Sequence, residues 1–207
     1  MRDLEDYGHG LEAVILRATD LGLGTCWLGG SFTRSSFARR IDLAADETMP
    51  AVSAVGNPVA DAREHDPLRR WAAADLRLPW EALFYNSGFQ DSLEVGQAAE
   101  YAGALAAVRL APSSHNSQPW RVVREGDRFH FYLRRSASYG PGSLPQRLLH
   151  LADLQRVDVG IAMCHFELAA REQGLRGLWT VDEPDLPGAV DTIEYVATWA
   201  GAASKAP

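Results

Sequence analysis

Only two cysteines, Cys26 and Cys164, occur in the 207 residues, and they form no C-x-x-C pair. The chain has neither a disulfide framework nor a paired-thiol motif, which points to a reducing compartment. Basic residues are in deficit too, with 20 Lys+Arg against 27 Asp+Glu and a formal charge of −7. That balance argues against nucleic acid or an anionic membrane surface as the main partner, since both require basic patches that displace counterions. Every apolar stretch is broken by Arg, Asp or Glu well short of the roughly 20 residues a membrane span needs. The charged start, Met1 to Asp6, lacks the apolar core and small-residue cleavage site of a signal peptide. These absences leave a soluble, cytoplasmic protein, 46% hydrophobic and 23% charged, with room for one sizeable core or two small lobes. Its expected partner is a small molecule or another protein.

The chain matches itself at an offset of 152 without gaps. Asp6, Gly8, Leu16, Ala18, Gly22, Leu23 and Trp27 recur as Asp158, Gly160, Leu168, Ala170, Gly174, Leu175 and Trp179. Each copy reads as a helix followed by a strand. Leu11, Val14, Ile15 and Ala18 supply the apolar face of the first helix, and Met163, Phe166 and Ala170 that of the second. Gly22 and Gly174 end the helices, and Leu178 to Val181 reads as the second strand. In repeat register the counterpart of Ala111–Trp120 falls before Met1, so the expectation is a chain that is truncated or begun late, with poor stability. Residues 1–90 then read as the latter part of a first half and 91–207 as a second half, together one intertwined unit.

The remaining pattern is α+β. Ala51 to Val55 is a short strand closed by Gly56-Asn57-Pro58, and Asp61 to Arg70 is an exposed linker or a helix start. Ser92 to Val108 is spaced for one helix by Leu93, Gln97, Tyr101 and Leu105. Trp120–Arg124 and Arg128–Leu133 flank Glu125-Gly126-Asp127 as a hairpin. Arg135 to Leu144 is a loop, Glu194 to Trp199 a last strand, and Gly201 to Pro207 a tail.

The segment Ala111-Pro112-Ser113-Ser114-His115-Asn116-Ser117-Gln118-Pro119-Trp120 is the most informative in the chain. Its prolines and short polar side chains suit either a rigid loop aimed at a ligand or a turn in which Ser113 or Asn116 merely caps a helix. The run from Gly22 to Gly30 fails as a dinucleotide fingerprint, because a helix precedes it and Trp27 fills the third glycine position. Gly29-Gly30 would allow a backbone N–H to approach a flat ligand, or form a simple turn.

Together the two segments resemble the FMN-dependent nitroreductases. APSSHNSQPW is similar to their A-P-S-x-x-N-x-Q-P-W signature, and GLGTCWLGG followed by Phe32 is similar to their Gly-Gly segment. The block order resembles the internally duplicated single-chain branch called putative TM nitroreductases. The resemblance runs from about Tyr7 to Trp199. It implies an α+β sandwich of two pseudo-equivalent halves, central helices packed on antiparallel sheet, with FMN in the groove between them. Carried over, the Leu28, Gly29 and Gly30 backbone would face flavin N5, and Pro112, Ser113, Ser114 and Asn116 would pack on the isoalloxazine. Arg77 resembles the family's phosphate-binding arginine.

Two departures stand out. The family's N-terminal arginine motif has no counterpart in the chain, and Asp75 stands where many members carry a lysine. Arg69 and Arg70 are either substitutes or solvated side chains. The second copy lacks the Gly-Gly loop, since Trp27 to Val52 spans 25 residues and Trp179 to Val196 only 17, so one FMN site per chain is expected.

Other candidates read as structural. His165 beside Cys164 is a packed histidine and not half of a metal pair. Ser114-His115 lacks a nucleophile turn and an orienting acid, and His9 with Glu12 makes polar contacts between halves. The tryptophans are mostly core or strand residues.

The implied activity is hydride transfer from NAD(P)H through FMN to a nitroaromatic, quinone or related small acceptor, with no acid–base side chain and no metal. The alternative is a degenerate scaffold with weak or no FMN binding that serves as a binding or assembly module. Expected assembly is a monomeric pseudo-dimer or a homodimer.

Overall fold

The computed structural model describes residues 3–29, 34–44, 46–59, 67–136, 152–188 and 192–202. Gly30, Phe32, most of the 61–70 stretch, the greater part of the 135–144 loop and the end of the tail lie outside the described residues. In chain order the elements are α1 (Asp3–Asp20), β1 (Gly24–Leu28), α2 (Arg34–Arg40), β2 (Val52–Gly56), α3 (Pro67–Trp71) and β3 (Phe84–Asn86). There follow α4 (Ala102–Leu110), β4 (Trp120–Glu125), β5 (Arg128–Arg134), α5 (Leu154–Glu172), β6 (Gly177–Thr180) and β7 (Ile193–Gly201). Single 3₁₀ segments cover Trp80–Ala82, Val95–Tyr101 and Ser114–Asn116.

The chain is α+β. Its main sheet has the order β3-β4-β5-β7-β6, and β1 with β2 forms a separate antiparallel ribbon. The sheet is antiparallel except that β3 runs parallel to β4. Parallel neighbours need a crossover, and α4 supplies it between β3 and β4. At three residues, β3 is too short to show the alternation that pattern reading relies on, despite the Asn86-Ser87-Gly88 turn that follows it. The hairpin falls where Glu125-Gly126-Asp127 places it, with Gly126 at φ +59°. No helix among the described residues is long and apolar enough to cross a membrane.

Helix α5 is buried on nearly every side from Leu154 to Phe166, as a helix with apolar residues around its circumference must be. Phe166 meets Phe129, Phe131, Tyr101 and Trp199 from the sheet and from the start of α4, and this aromatic cluster is the heart of the core. The opposite side of α5 receives α1. Met163, Phe166 and Ala170 are buried as their spacing predicts.

Two sequence expectations need correction. The segment Ser92–Val108 is not one helix: a capping box between Glu94 and Gln97 starts a 3₁₀ turn, Ala99 breaks it at φ +50°, and α4 begins only at Ala102. Leu93 lies outside it, its N–H donating to Phe84 O at 3.0 Å. On α1 the buried face is Glu5, Gly8, Glu12 and Ile15, whereas Val14 is 63% exposed. The face was chosen by backbone approach and buried ion pairs, which apolar periodicity does not register. Trp71, on α3, is likewise exposed and not a core residue.

The helices α1 and α5 touch backbone to backbone. A Cβ at Gly8 would overlap the Val157 carbonyl, and one at Gly160 would overlap that of Glu5. Glycine and carbonyl are each 152 residues from their counterparts, so the two contacts are reciprocal. Polar clamps flank the crossing. Trp27 Nε1 donates to Glu12 at 2.8 Å, and Glu12 also meets His165 Nε2 at 2.9 Å. Trp179 Nε1 donates to Glu167 at 2.7 Å, and Glu167 meets His9 Nε2 at 3.0 Å. His9, Glu12 and His165 thus serve contacts between the two helices. Cys164 is buried beside them, its thiol pushed up to about 12 by burial and by Glu12 and Glu167.

Both repeat glycines after these helices are left-handed, Gly22 at φ +80° and Gly174 at φ +77°. An L-residue pays about 1 kcal/mol there. Gly174→Ala should lower the denaturant midpoint by that equivalent, and an unchanged midpoint would show that the turn does not need the glycine.

Candidate functional site

The signature segment leaves α4 at Ala111 and makes a loop with three non-glycine residues in the left-handed region, His115 at φ +53°, Asn116 at +53° and Gln118 at +47°. Such a loop persists only if neighbours hold it. Ser113 Oγ accepts from Gln118 N–H at 2.9 Å, and Gln118 Oε1 accepts from Leu78 N–H at 2.9 Å. The Asn116 amide donates to the Ala73 and Leu76 carbonyls at 2.7 and 2.9 Å. Ser113, at the N-cap position of the 3₁₀ turn, makes no side-chain cap, and Asn116 ties the loop to the turn before Arg77. Pro112 and His115 are exposed, while Ser113, Ser114 and Asn116 are half-buried. Ser114 Oγ lies 3.0 Å from His115 Nδ1, but among the described residues no acid orients that ring, and its edge meets Trp71.

Arg77 is drawn into the same cluster. Nη1 lies 3.4 Å from Asn116 Oδ1 and donates to the carbonyls of Ala74 and Leu76, and Nη2 donates to Leu110 O at 3.1 Å. Burial lowers its affinity for the proton, Asp75 opposes that shift, and the nearby guanidinium groups of Arg69 and Arg109 reinforce it. Arg69 is paired with Asp75 at 2.6 Å, and Arg70 is exposed. Arg69 Nε and Arg77 Nε are buried donors with no acceptor among the described residues.

The Gly-Gly block reaches the loop through α5. A Cβ on Gly29 would come within 2.6 Å of Leu154 Cδ1, so the glycine lets the end of β1, after the half-buried Leu28, close onto the first turn of α5. One turn later, Asp158 Oδ1 accepts from Ser114 N–H at 2.9 Å. Positions 154 and 158 share one helix face, so the two sequence blocks dock side by side on it. Gly30 lies outside the described residues.

Asp158 is the residue that motif reading missed. Its only sequence signal was the repeat match with Asp6, which says nothing of burial. It is 3% exposed, Oδ2 has no partner among the described residues, and burial pushes the carboxyl up to about 8 against the pull of the Ser114 N–H. The unfolded value is 3.8. The folded chain therefore keeps a proton that the unfolded chain releases, and the associated stability is complete below the unfolded value and lost as pH rises through the folded one. Relative to Asp158→Asn, the parent's melting temperature should fall between about pH 4 and pH 8 and level off above. Parallel pH profiles would show that the carboxyl is already ionised.

The family model described as "Putative TM nitroreductase" matches residues 2–170. No curated protein matches. Among solved structures, a putative nitroreductase from Thermotoga maritima superposes with a TM-score of 0.58 at 20% identity. The match covers 95% of this chain and 64% of that one, so the chain spans less than two thirds of that relative.

Proposed function

The chain belongs to the putative TM nitroreductase family, and on that premise we propose that it is an FMN-dependent oxidoreductase passing a hydride from NAD(P)H to a nitroaromatic, quinone or related small acceptor. The observation that carries this reading is the docking of the Gly29 block and the Ser114 loop on one face of α5. The residues fit the cofactor's needs: a loop held in place by its hydrogen bonds, and two buried guanidinium N–H groups, on Arg69 and Arg77, that match an anionic phosphate.

Bound FMN supplies reversible hydride uptake. Around it the Leu28, Gly29 and Gly30 backbone would orient the reactive ring edge, and Pro112, Ser113, Ser114 and Asn116 would form the facing wall. Arg77 would donate to the phosphate. Rate enhancement then rests on positioning and backbone hydrogen bonds, with no acid–base side chain. Residues 1–90 and 91–207 act as two intertwined halves with one flavin site, in a monomer or a homodimer working in the cytoplasm.

One observation favours a second reading, a scaffold that binds FMN weakly and serves as a binding module. Arg69 is spent on Asp75, and both Arg77 Nη atoms are spent on carbonyls. A flavin titration separates the two. Fluorescence quenching should show saturable FMN binding, and Arg77→Ala should weaken FMN at least about tenfold while leaving riboflavin, which lacks the phosphate, unaffected. A chain that ignores both flavins is not a flavoenzyme.

A further inference from the structure

Beneath the loop lies a carboxyl that this chemistry does not use. Asp158 is almost wholly buried, gives one oxygen to Ser114 N–H, and leaves the other without a partner among the described residues. A packed apolar side chain would avoid the cost of burying that group, so its presence calls for a reason beyond stability. The backbone it grips gives one: Ser114 opens the stretch in which His115, Asn116 and Gln118 are all left-handed. One turn before Asp158 on the same face, Leu154 receives Gly29. We propose that Asp158 is a positioning residue, which sets the Ser113–Gln118 loop against the Gly29 end of β1 by accepting the Ser114 N–H.

This inference rests on the reading of that loop as a flavin wall. Charged and titratable groups on the surrounding elements do other work. Glu5 on α1 is paired with Arg156 of α5, and Arg121 on β4 donates to the Gln118 and Trp120 carbonyls. His115 contacts Ser114 Oγ, and Asp153, earlier on α5's own segment, pairs with Arg135. None of these replaces the Asp158 carboxyl as acceptor for Ser114 N–H.

The test uses the full chain with Asp158→Asn, which keeps an acceptor oxygen, and Asp158→Leu, which removes it. Amide hydrogen exchange at Ser114 is read without flavin, and FMN affinity by titration. The asparagine variant should stay near the parent in both. The leucine variant should exchange Ser114 at least about tenfold faster and bind FMN at least about tenfold more weakly, while its flavin-free melting temperature does not fall. Ser114→Pro removes the donor without altering Asp158, since Ser113 already has the extended backbone that precedes proline. It should weaken FMN similarly, and adding Asp158→Leu should cost nothing more. Should the leucine variant not fold, this proline variant and the asparagine variant still decide the matter.

Unchanged Ser114 exchange in Asp158→Leu, an asparagine variant as impaired as the leucine one, or additive losses in the double variant would each overturn the proposal. If the parent binds no FMN, the flavoenzyme reading fails on its own, and Ser114 exchange still reports on Asp158.

Discussion

Gly160→Ala is expected to destabilise the chain by about 3 kcal/mol or more, at the upper end of what overpacking costs. The new methyl meets the Glu5 carbonyl, and a backbone group inside α1 cannot turn away as a side-chain tip would. Gly8→Ala should behave alike, because its methyl meets the Val157 carbonyl of α5. Alanine's better helix propensity returns only about 1 kcal/mol. Gly10 is the control: it lies on the same helix with nothing within 4 Å of a Cβ, so Gly10→Ala should be neutral or slightly stabilising. Denaturant midpoints for the three variants give the comparison, and equal effects would remove the crossing as the cause.

Arg156→Met should cost about 3–5 kcal/mol, the range for leaving one charge of a buried pair alone. Arg156 bridges Glu5 and Glu194 at 2.6 Å each, and Glu5 is 2% exposed with no other cation beside it among the described residues. Glu194 is less affected, since Arg135 also holds it at 2.5 Å. The bridge joins α1, α5 and the start of β7, so its loss is felt across three elements. Glu5→Gln together with Arg156→Met should recover most of the deficit, because the uncompensated charge disappears with its partner. If the double variant is as unstable as the sum of the singles, the pair is not coupled.

The sequence carried the α+β class, the hairpin around Gly126 and the two motif blocks, because each is written in consecutive residues with a local meaning. It carried less about the faces. The apolar stripe caught Ile15 but included the exposed Val14 and left out Glu5, Gly8 and Glu12, since the contact is a glycine crossing lined by Glu5 and Glu12, and polar residues at a buried face look like solvent positions until the partner helix is known. The helix expected from Ser92 absorbed a broken turn because Leu93, Gln97, Tyr101 and Leu105 keep helical spacing across the kink at Ala99. At the site, the loop itself was legible, but its supports were not. Arg77 reaches Leu110 across 33 positions and Asn116 across 39, and Ser114 reaches Asp158 across 44. No periodicity spans those distances.

The interlocked glycines also limit how α1 and α5 can move against each other. Sliding α1 along α5 by even one residue would bring a side chain against a carbonyl now covered only by Gly8 or Gly160, so shear between these helices is blocked. The pair behaves as a fixed axle. Gly29 bears on it through Leu154 and Ser114 through Asp158. If the proposed flavin site lies between the two blocks, access to it does not come from helix sliding.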